Sequence, residues 1–170
     1  SCVALTARYD NLLVTQTFSK SRSLAGARLG FAIGDPALIA DLNTVRNSVN
    51  PYNVNRMTQA AGIAAIREND YFMGCCQTIR KNRTDTIAQL RAMGFTVLES
   101  QANFVFARCD AMPGTALYAA LRRRGVLVRH FDTPALTDWL RITIGTQDQM
   151  AALLNTIAAI LKEECPHANC

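Results

Sequence analysis

Several patterns that mark other classes of protein are missing from this sequence. None of the six cysteines belongs to a Cys-x-x-Cys pair, and His130 and His167 stand alone. The cysteines occupy positions 2, 75, 76, 109, 165 and 170. Without the cysteine and histidine spacing of a zinc site, we expect no bound metal. The thiols are expected to be unpaired, as in a reducing compartment.

Long apolar runs are missing too. No segment of the sequence reaches the roughly 20 apolar residues that a membrane-spanning helix needs, and no signal peptide is visible. The sequence also has no internal repeats and no low-complexity stretches. We therefore expect a cytoplasmic globular protein that has no membrane partner.

Acidic residues are fewer than basic ones, with 13 Asp and Glu against 18 Lys and Arg, and the net charge is +5. Such an excess can indicate nucleic-acid binding. The cations are scattered, however, and the only dense cluster, Arg122-Arg123-Arg124, ends a predicted helix just before Gly125. Cations at that end favour the helix dipole. We therefore expect no nucleic-acid partner. The alternative, nucleic-acid binding by the basic charge, would predict binding that weakens steeply with salt.

The size and the periodicity of the chain predict an α/β fold. Its 170 residues, 49% of them apolar, suffice for one domain or for one domain plus part of another. The predicted strands are 11–18, 29–34, 95–99, 103–107, 126–130 and 139–144, and the predicted helices are 37–47, 54–68, 70–93, 115–124 and 147–164. This alternation indicates helices packed on one face of a small sheet.

Capping and breaking residues mark the ends of these elements. Asp35 is expected to cap the first helix, with Pro36 at its first position, and Gly94 is expected to end the third helix. A break at residues 50–53, Asn-Pro-Tyr-Asn, indicates a domain boundary. The predicted domains are therefore residues 1–50 and residues 51–170.

The most informative stretch is residues 17–30, which read TFSKSRSLAGARLG. It follows an apolar strand-like segment and places Lys20 between two serines, with Arg28 further along. Gly26 and Gly30 let the backbone pass where a side chain would obstruct. A lysine at the end of a strand, with hydroxyls and an arginine nearby, suits an amine that condenses with a carbonyl beside a bound phosphate.

This stretch resembles the cofactor-lysine motif of the fold-type I aminotransferases, which depend on pyridoxal 5'-phosphate (PLP): Thr-x-Ser-Lys-x-x-x-Leu-Ala-Gly-x-Arg-x-Gly. Residues 51–55, PYNVN, and residues 140–146, LRITIGT, are similar to segments of the histidinol-phosphate branch. The resemblance implies the end of the large cofactor domain in residues 1–50. It implies an α+β small domain with linking helices in residues 51–170, and a mixed sheet with helices packed against it.

The resemblance also implies PLP as the cofactor and a homodimer as the assembly. The implied reaction moves an amino group between glutamate and imidazole-acetol phosphate, which become 2-oxoglutarate and the phosphorylated amino substrate histidinol phosphate, in histidine biosynthesis. Lys20 would bind the cofactor covalently and move the substrate proton. Arg28, Ser19 and Thr17 would hold the cofactor phosphate, because a guanidinium and hydroxyls suit a phosphate group.

Two further sets of residues would bind the substrate. Arg141 lies among apolar neighbours on a predicted strand, where burying it is costly unless an anion meets it. The resemblance implies that Arg141 binds a substrate anion and that Arg129 is the second member of an arginine pair. A structural salt bridge is the alternative for both arginines. Tyr52 and Asn53 would either shape the substrate channel or cap the helix that follows.

The resemblance covers nearly the whole chain but only about the C-terminal half of such an enzyme. The family's glycine-rich phosphate turn, its ring-stacking aromatic residue and the Asp that pairs with the pyridine nitrogen precede the lysine and are not in this sequence. We therefore expect the chain alone to bind PLP weakly and to turn over little. The alternatives are a threonine-phosphate decarboxylase or an aromatic aminotransferase of the same fold and, in another class, a noncatalytic structural fragment.

Overall fold

The computed structural model describes residues 1–164. The predictions for Cys165, His167 and Cys170 lie outside the described residues. The chain forms two compact units, of which the first ends at Met73 and the second begins at Gly74.

The first unit is built around a two-stranded antiparallel sheet. Its elements are a 3-10 helix at Cys2–Ala7, strand β1 at Val14–Thr17, a short 3-10 helix at Ala25–Ala27, strand β2 at Gly30–Ile33, helix α1 at Pro36–Val49 and helix α2 at Arg56–Arg67. As predicted, Asp35 caps α1, because its Oδ1 accepts a hydrogen bond of 2.8 Å from the Ala37 N–H, and Pro36 is the first helical residue. Helix α1 has no buried residue.

The second unit holds the larger sheet and most of helix α3. Its elements are helix α3 at Asn69–Ala92, strand β3 at Phe95–Val97, strand β4 at Phe104–Cys109, helix α4 at Gly114–Arg123, strand β5 at Arg129–His130, strand β6 at Trp139–Thr143 and helix α5 at Gln147–Glu164. Helix α3 begins in the last residues of the first unit. Gly94 follows α3 with a φ of 81°, as expected of a glycine that ends a helix.

The α/β class with helices packed against a sheet is confirmed, whereas the sheet is antiparallel rather than mixed. Among the described residues the strand order is β3-β4-β6-β5, and each pairing is antiparallel. Strand β6 lies between β4 and β5, so these two strands, which α4 connects along the chain, do not pair with each other.

The two faces of this sheet differ in character because side chains alternate along each strand. One face carries buried residues, including Val105, Ala107, Leu140 and Ile142. These join one apolar cluster with side chains of the helices, namely Leu90 of α3, Leu117 and Leu121 of α4, and Ile157 and Ile160 of α5. The other face of the sheet is left for aromatic and arginine side chains.

The first compact unit continues beyond the boundary predicted after residue 50. Residues 50–53 form the turn between α1 and α2, and α2 then packs on the first unit, where a Cβ at Gly62 would collide with Leu29. A proline break marks the end of a helix but carries no information about what the next helix packs on. The assignment of residues 1–50 to a cofactor domain and of residues 51–170 to a small domain stays a prediction.

The core of the second unit gives a first testable expectation. Leu121 is fully buried, whereas Leu127 is 79% exposed. Leu121→Ala should lower the free energy of unfolding by about 2–5 kcal/mol, because it leaves a cavity in the core. The control Leu127→Ala should change it by less than about 0.5 kcal/mol. Urea unfolding followed by the fluorescence of Trp139, the only tryptophan, measures both, and equal effects would contradict this account of the core.

Candidate functional site

A closed loop at the end of the small sheet holds the predicted cofactor residues. Thr17 of β1 pairs with Gly30 of β2, and the Phe18 N–H donates a hydrogen bond of 3.0 Å to the Leu29 carbonyl. These contacts join both ends of the loop formed by residues 18–29. The loop carries Ser19, Lys20 and Arg28, with Thr17 at its base.

Lys20 lies in a tight turn inside this loop. The N–H groups of Arg22 and Leu24 both donate to the Phe18 carbonyl, at 3.2 and 3.1 Å, and the Ser23 N–H donates to the Lys20 carbonyl at 3.3 Å. The Lys20 side chain is exposed, and it forms no ion pair with any residue from 1 to 164. The turn therefore fixes the lysine backbone while it leaves the amine accessible.

Hydroxyl groups surround the start of the loop. Thr17 Oγ1 accepts a hydrogen bond of 3.1 Å from the Ser19 N–H, and Ser21 Oγ donates one of 3.1 Å to the Thr17 carbonyl. Within the described part of the chain the Ser19 hydroxyl makes no hydrogen bond. The hydroxyl protons of Thr17 and Ser19 can thus be donated to a ligand.

Arg28 stands at the far end of the loop in a strained backbone conformation. Its φ is 53°, and among residues 1–164 the only other non-glycine residue with positive φ is Ser23, at 56°, in the same loop. Such conformations cost about 1–3 kcal/mol and cluster at functional sites. The exposed Arg28 guanidinium donates a hydrogen bond of 3.0 Å to the Ala25 carbonyl. Its remaining N–H groups have no carboxylate partner among the described residues.

A cleft of about 230 Å³ lies beside the loop. It is lined by Gln16, Thr17, Phe18, Ser21, Arg22, Phe31 and Ile66. Thr17 is the one predicted cofactor residue in this lining, whereas Ser19, Lys20 and Arg28 lie outside it. The loop therefore collects the predicted cofactor residues, but the cleft does not enclose them.

In the second unit, the two predicted substrate arginines are direct neighbours. Arg129 of β5 stands opposite Arg141 of β6 in the antiparallel register, so both side chains project from the same face of the sheet. Both guanidinium groups also lie over the Phe131 ring, with Cζ at 5.3 Å from its centroid for Arg129 and 5.8 Å for Arg141. Arg141 lies over the Phe104 ring as well, at 5.4 Å.

Among the described residues, no carboxylate neutralises this arginine pair. The ion pairs formed by residues 1–164 include neither Arg129 nor Arg141, so the structural salt bridge considered as the alternative is not formed by the described residues. Like charges directly opposite each other on paired strands are destabilising. An anion such as a phosphate would remove that repulsion and could be bound by two guanidinium groups at once.

A second cleft, of about 510 Å³, lies in the same unit and includes Arg141. It is lined by Leu98, Glu99, Ser100, Gln101, Ala102, Phe104, Phe106, Phe131, Leu136 and Arg141. The one acidic residue of this lining, Glu99, is bound at 2.8 Å by Arg91. Arg129 does not line the cleft. The cleft thus combines an aromatic wall with Arg141, a cation that pairs with no described carboxylate.

Sequence reasoning missed two features of this cleft. The first is the aromatic wall, although Phe104 and Phe106 alternate with the buried Val105, a pattern that could have indicated it. The second is Arg83 of α3, which is only 8% exposed and donates hydrogen bonds to the Ala102 carbonyl at 2.7 Å and to Gln101 Oε1 at 3.3 Å. Arg83 therefore holds one wall of the cleft in place.

Tyr52 and Asn53 lie in the turn between α1 and α2. The residue that caps α2 is Asn55, whose Oδ1 accepts a hydrogen bond of 2.8 Å from the Thr58 N–H. The segment of residues 51–55 therefore caps α2 through Asn55, and not through Tyr52 or Asn53. Tyr52 is 92% exposed, and its predicted place in a substrate channel stays a prediction.

Other kinds of site find no support in the part of the chain that the structure describes. Within residues 1–164 no group of three or more His, Cys, Asp or Glu residues could hold a metal ion. None of the helices formed by these residues has the length and apolar character needed to cross a membrane.

Comparison with known proteins identifies the family. Residues 1–157 match the model of class I and II aminotransferases. The chain belongs to this family. A histidinol-phosphate aminotransferase of Chromohalobacter salexigens is 48% identical over 162 residues, which cover 95% of this chain and 46% of that protein. The chain therefore spans about half the length of this relative.

Solved aminotransferase structures show the same fold. The histidinol-phosphate aminotransferase of Clostridium acetobutylicum aligns with a TM-score of 0.86 at 24% identity, over 96% of this chain and 49% of that one. The enzyme of Sinorhizobium meliloti, solved in complex with pyridoxal-5'-phosphate, aligns with a TM-score of 0.73 at 28% identity, over 89% of this chain and 42% of that one.

The arginine pair of this aminotransferase chain can be tested with inorganic phosphate. Arg129→Gln and Arg141→Gln should each weaken phosphate binding about tenfold or more, since a hydrogen bond to a charged group contributes about 1.5–3 kcal/mol. Without phosphate, neither change should lower the melting temperature, because each removes a like-charge contact. The exposed Arg122 supplies the control Arg122→Gln. Thermal melts across a phosphate series measure the effect, and equal weakening by all three variants would refute a specific anion site.

Proposed function

We propose that this chain works as the C-terminal portion of a PLP-dependent aminotransferase. The proposed reaction transfers an amino group between histidinol phosphate and 2-oxoglutarate, which become imidazole-acetol phosphate and glutamate, in histidine biosynthesis. The observation that carries the proposal is the loop of residues 18–29, in which an accessible Lys20 shares one loop with hydroxyls and with Arg28, which pairs with no described carboxylate. Membership of the aminotransferase family supports it.

The donor groups of the loop fit the phosphate of PLP. A phosphate dianion needs positive charge and several hydrogen-bond donors. Arg28 offers a permanently charged guanidinium, and Thr17 and Ser19 offer hydroxyl protons that no described residue accepts. We assign these three residues to the cofactor phosphate and Lys20 to the covalent attachment of PLP. Bound PLP would supply an electron sink that stabilises negative charge at the substrate Cα.

The chain's own residues then account for proton movement and orientation. Lys20 Nζ would accept the proton from the substrate Cα as a general base. It would then deliver the proton to the cofactor carbon as a general acid. An accessible amine on a fixed backbone suits this role, because proton transfer requires both reach and orientation.

Substrate recognition is assigned to the second unit. Arg129 and Arg141 would bind the phosphate of one substrate and a carboxylate of the other, since two adjacent guanidinium groups suit either anion. The aromatic rings of Phe104 and Phe131 would pack against the imidazole ring of histidinol phosphate. Tyr52 and Asn53 remain proposed residues of the substrate channel.

We also propose that the enzyme is a cytoplasmic homodimer. A second subunit would cover apolar side chains that the first unit leaves exposed. Examples are Val45 at 61%, Val49 at 80% and Met57 at 84% exposure. Patches of this kind are typical of protein interfaces. The exposed thiol of Cys75, which forms no disulfide with a described cysteine, suits a reducing compartment.

The cofactor assignment predicts where PLP becomes attached. In the complete enzyme that contains this chain, borohydride reduction after incubation with PLP should fix the cofactor mass on the peptide that contains Lys20. Lys20→Ala should abolish that labelling and lower the rate with histidinol phosphate and 2-oxoglutarate at least about 100-fold, since it removes the proton-transferring amine. The control Lys162→Ala, at an exposed position of α5, should retain both.

A substrate panel completes this experiment. Faster turnover of an aromatic amino acid, or release of carbon dioxide from O-phosphothreonine, would replace the histidinol-phosphate assignment by one of the two alternatives on the same fold. Labelling of a lysine other than Lys20, or full activity of Lys20→Ala, would contradict the proposed cofactor site.

A further inference from the structure

Arg22, two residues after Lys20, makes more side-chain contacts than its neighbours in the loop. Its Nη1 donates a hydrogen bond of 2.7 Å to the Ala65 carbonyl, and its Nη2 donates one of 3.3 Å to Asn69 Oδ1. Its guanidinium carbon lies 3.7 Å from the centroid of the Phe72 ring. All of these groups belong to the first compact unit.

These contacts attach the loop to the junction of two helices. Ala65 is in the last turn of α2, where carbonyl groups lack intrahelical partners and a cation is favoured by the helix dipole. Asn69 and Phe72 are in the first turn of α3. The guanidinium therefore donates a hydrogen bond to a free carbonyl at the end of α2, while it stacks on an aromatic ring at the start of α3.

The backbone of Arg22 belongs to the turn that holds Lys20. Its N–H donates to the Phe18 carbonyl, and the next N–H, that of Ser23, donates to the Lys20 carbonyl. A side chain anchored on α2 and α3 thus continues directly into the hydrogen bonds around the lysine backbone. The hydroxyl of Ser21 adds only a local bond to Thr17 within the same loop.

We propose that Arg22 is a positioning residue, which orients the Lys20 amine by holding the loop against the junction of α2 and α3. The inference rests on the proposed cofactor role of Lys20. No described carboxylate pairs with Arg22, so the anchor consists of two hydrogen bonds and one stacked ring. A planar guanidinium can make all three contacts at once, and a lysine ammonium cannot.

Direct anion binding by Arg22 is the competing role, because Arg22 also lines the cleft of about 230 Å³. Both terminal nitrogens of the guanidinium are already engaged by Ala65 and Asn69. Two of the five N–H donors and one face of the guanidinium are thereby occupied by groups of α2 and α3, so the geometry favours positioning. The two roles predict different kinetic changes.

A first experiment needs no cofactor. Amide hydrogen exchange is measured on the 170-residue chain and on Arg22→Ala, Arg22→Lys and the control Arg67→Ala, an exposed arginine at the end of α2. In Arg22→Ala the amides of Ser23 and Leu24 should exchange about tenfold faster or more, because the turn opens locally. Arg22→Lys should give an intermediate rate, and Arg67→Ala should leave it unchanged. Unchanged exchange in Arg22→Ala, or faster exchange throughout the first unit, would overturn the proposal.

A second experiment uses the complete enzyme loaded with PLP. Arg22→Ala should lower kcat about 10- to 100-fold with little change in the KM of the amino substrate, since a small misplacement of a reacting group has effects of this size. It should also shift the pH profile of the absorbance of lysine-bound PLP, and Arg22→Lys should restore part of kcat. A raised KM or weaker PLP binding at unchanged kcat would identify Arg22 as an anion ligand and overturn the positioning role.

The two proposals fail in different ways. If borohydride labels Lys20 but Arg22→Ala behaves like Arg67→Ala in both experiments, the positioning role alone is refuted. If Lys20 is not labelled in the unmodified enzyme, the proposed function is refuted, and with it the reason to assign Arg22 a role in positioning the amine.

Discussion

The pairing of β1 with β2 is the constraint on which the candidate cofactor site depends. These strands meet at Thr17 and Gly30, and a further bond joins Phe18 to Leu29. Residues at both ends of the intervening loop are thereby brought together, although they lie up to a dozen positions apart in the chain. Without the β1-β2 pairing, the exposed Lys20 and the exposed Arg28 would have no fixed position relative to each other. The strained backbone at Ser23 and Arg28 is sustained because both ends of the loop are held.

In the second unit, the register between β5 and β6 fixes the positions of Arg129 and Arg141. In an antiparallel ladder, opposite residues project from the same face, so the register alone places Arg129 beside Arg141. The helices cover the other face of the sheet with apolar side chains. The open face can then hold cations and aromatic rings that a core would exclude. The burial that stabilises the unit thus also determines which side chains remain available to an anion.

Much of the local structure follows from the sequence, because caps and periodicity act over a few residues. The predicted bounds of α5 agree with the observed Gln147–Glu164, and Asp35 and Gly94 act as predicted at their helix ends. Strand β5 is shorter than the predicted 126–130, since the Val126 N–H returns to the Leu121 carbonyl at the end of α4 and so takes no part in the sheet.

Features that depend on distant pairing were not accessible from the sequence. Arg129 and Arg141 were predicted to act together. Their positions opposite each other on the adjacent strands β5 and β6 follow from the insertion of β6 between β4 and β5. The same insertion makes the sheet antiparallel. The anchoring of Arg22 on Ala65 joins residues 43 positions apart, and no local pattern signals such a contact. The proposal that Lys20 binds the cofactor could be made from the sequence because its motif is contiguous.

The proposed cofactor site depends on one covalent and one ionic contact: PLP attached to Lys20, with its phosphate bound by Arg28. A crystal structure of the complete enzyme grown with PLP tests both contacts most directly. We predict continuous electron density from Lys20 Nζ to the cofactor aldehyde carbon, with the Arg28 guanidinium within hydrogen-bonding distance of the phosphate oxygens. Density that joins PLP to another residue, or a phosphate held without Arg28, would contradict the account.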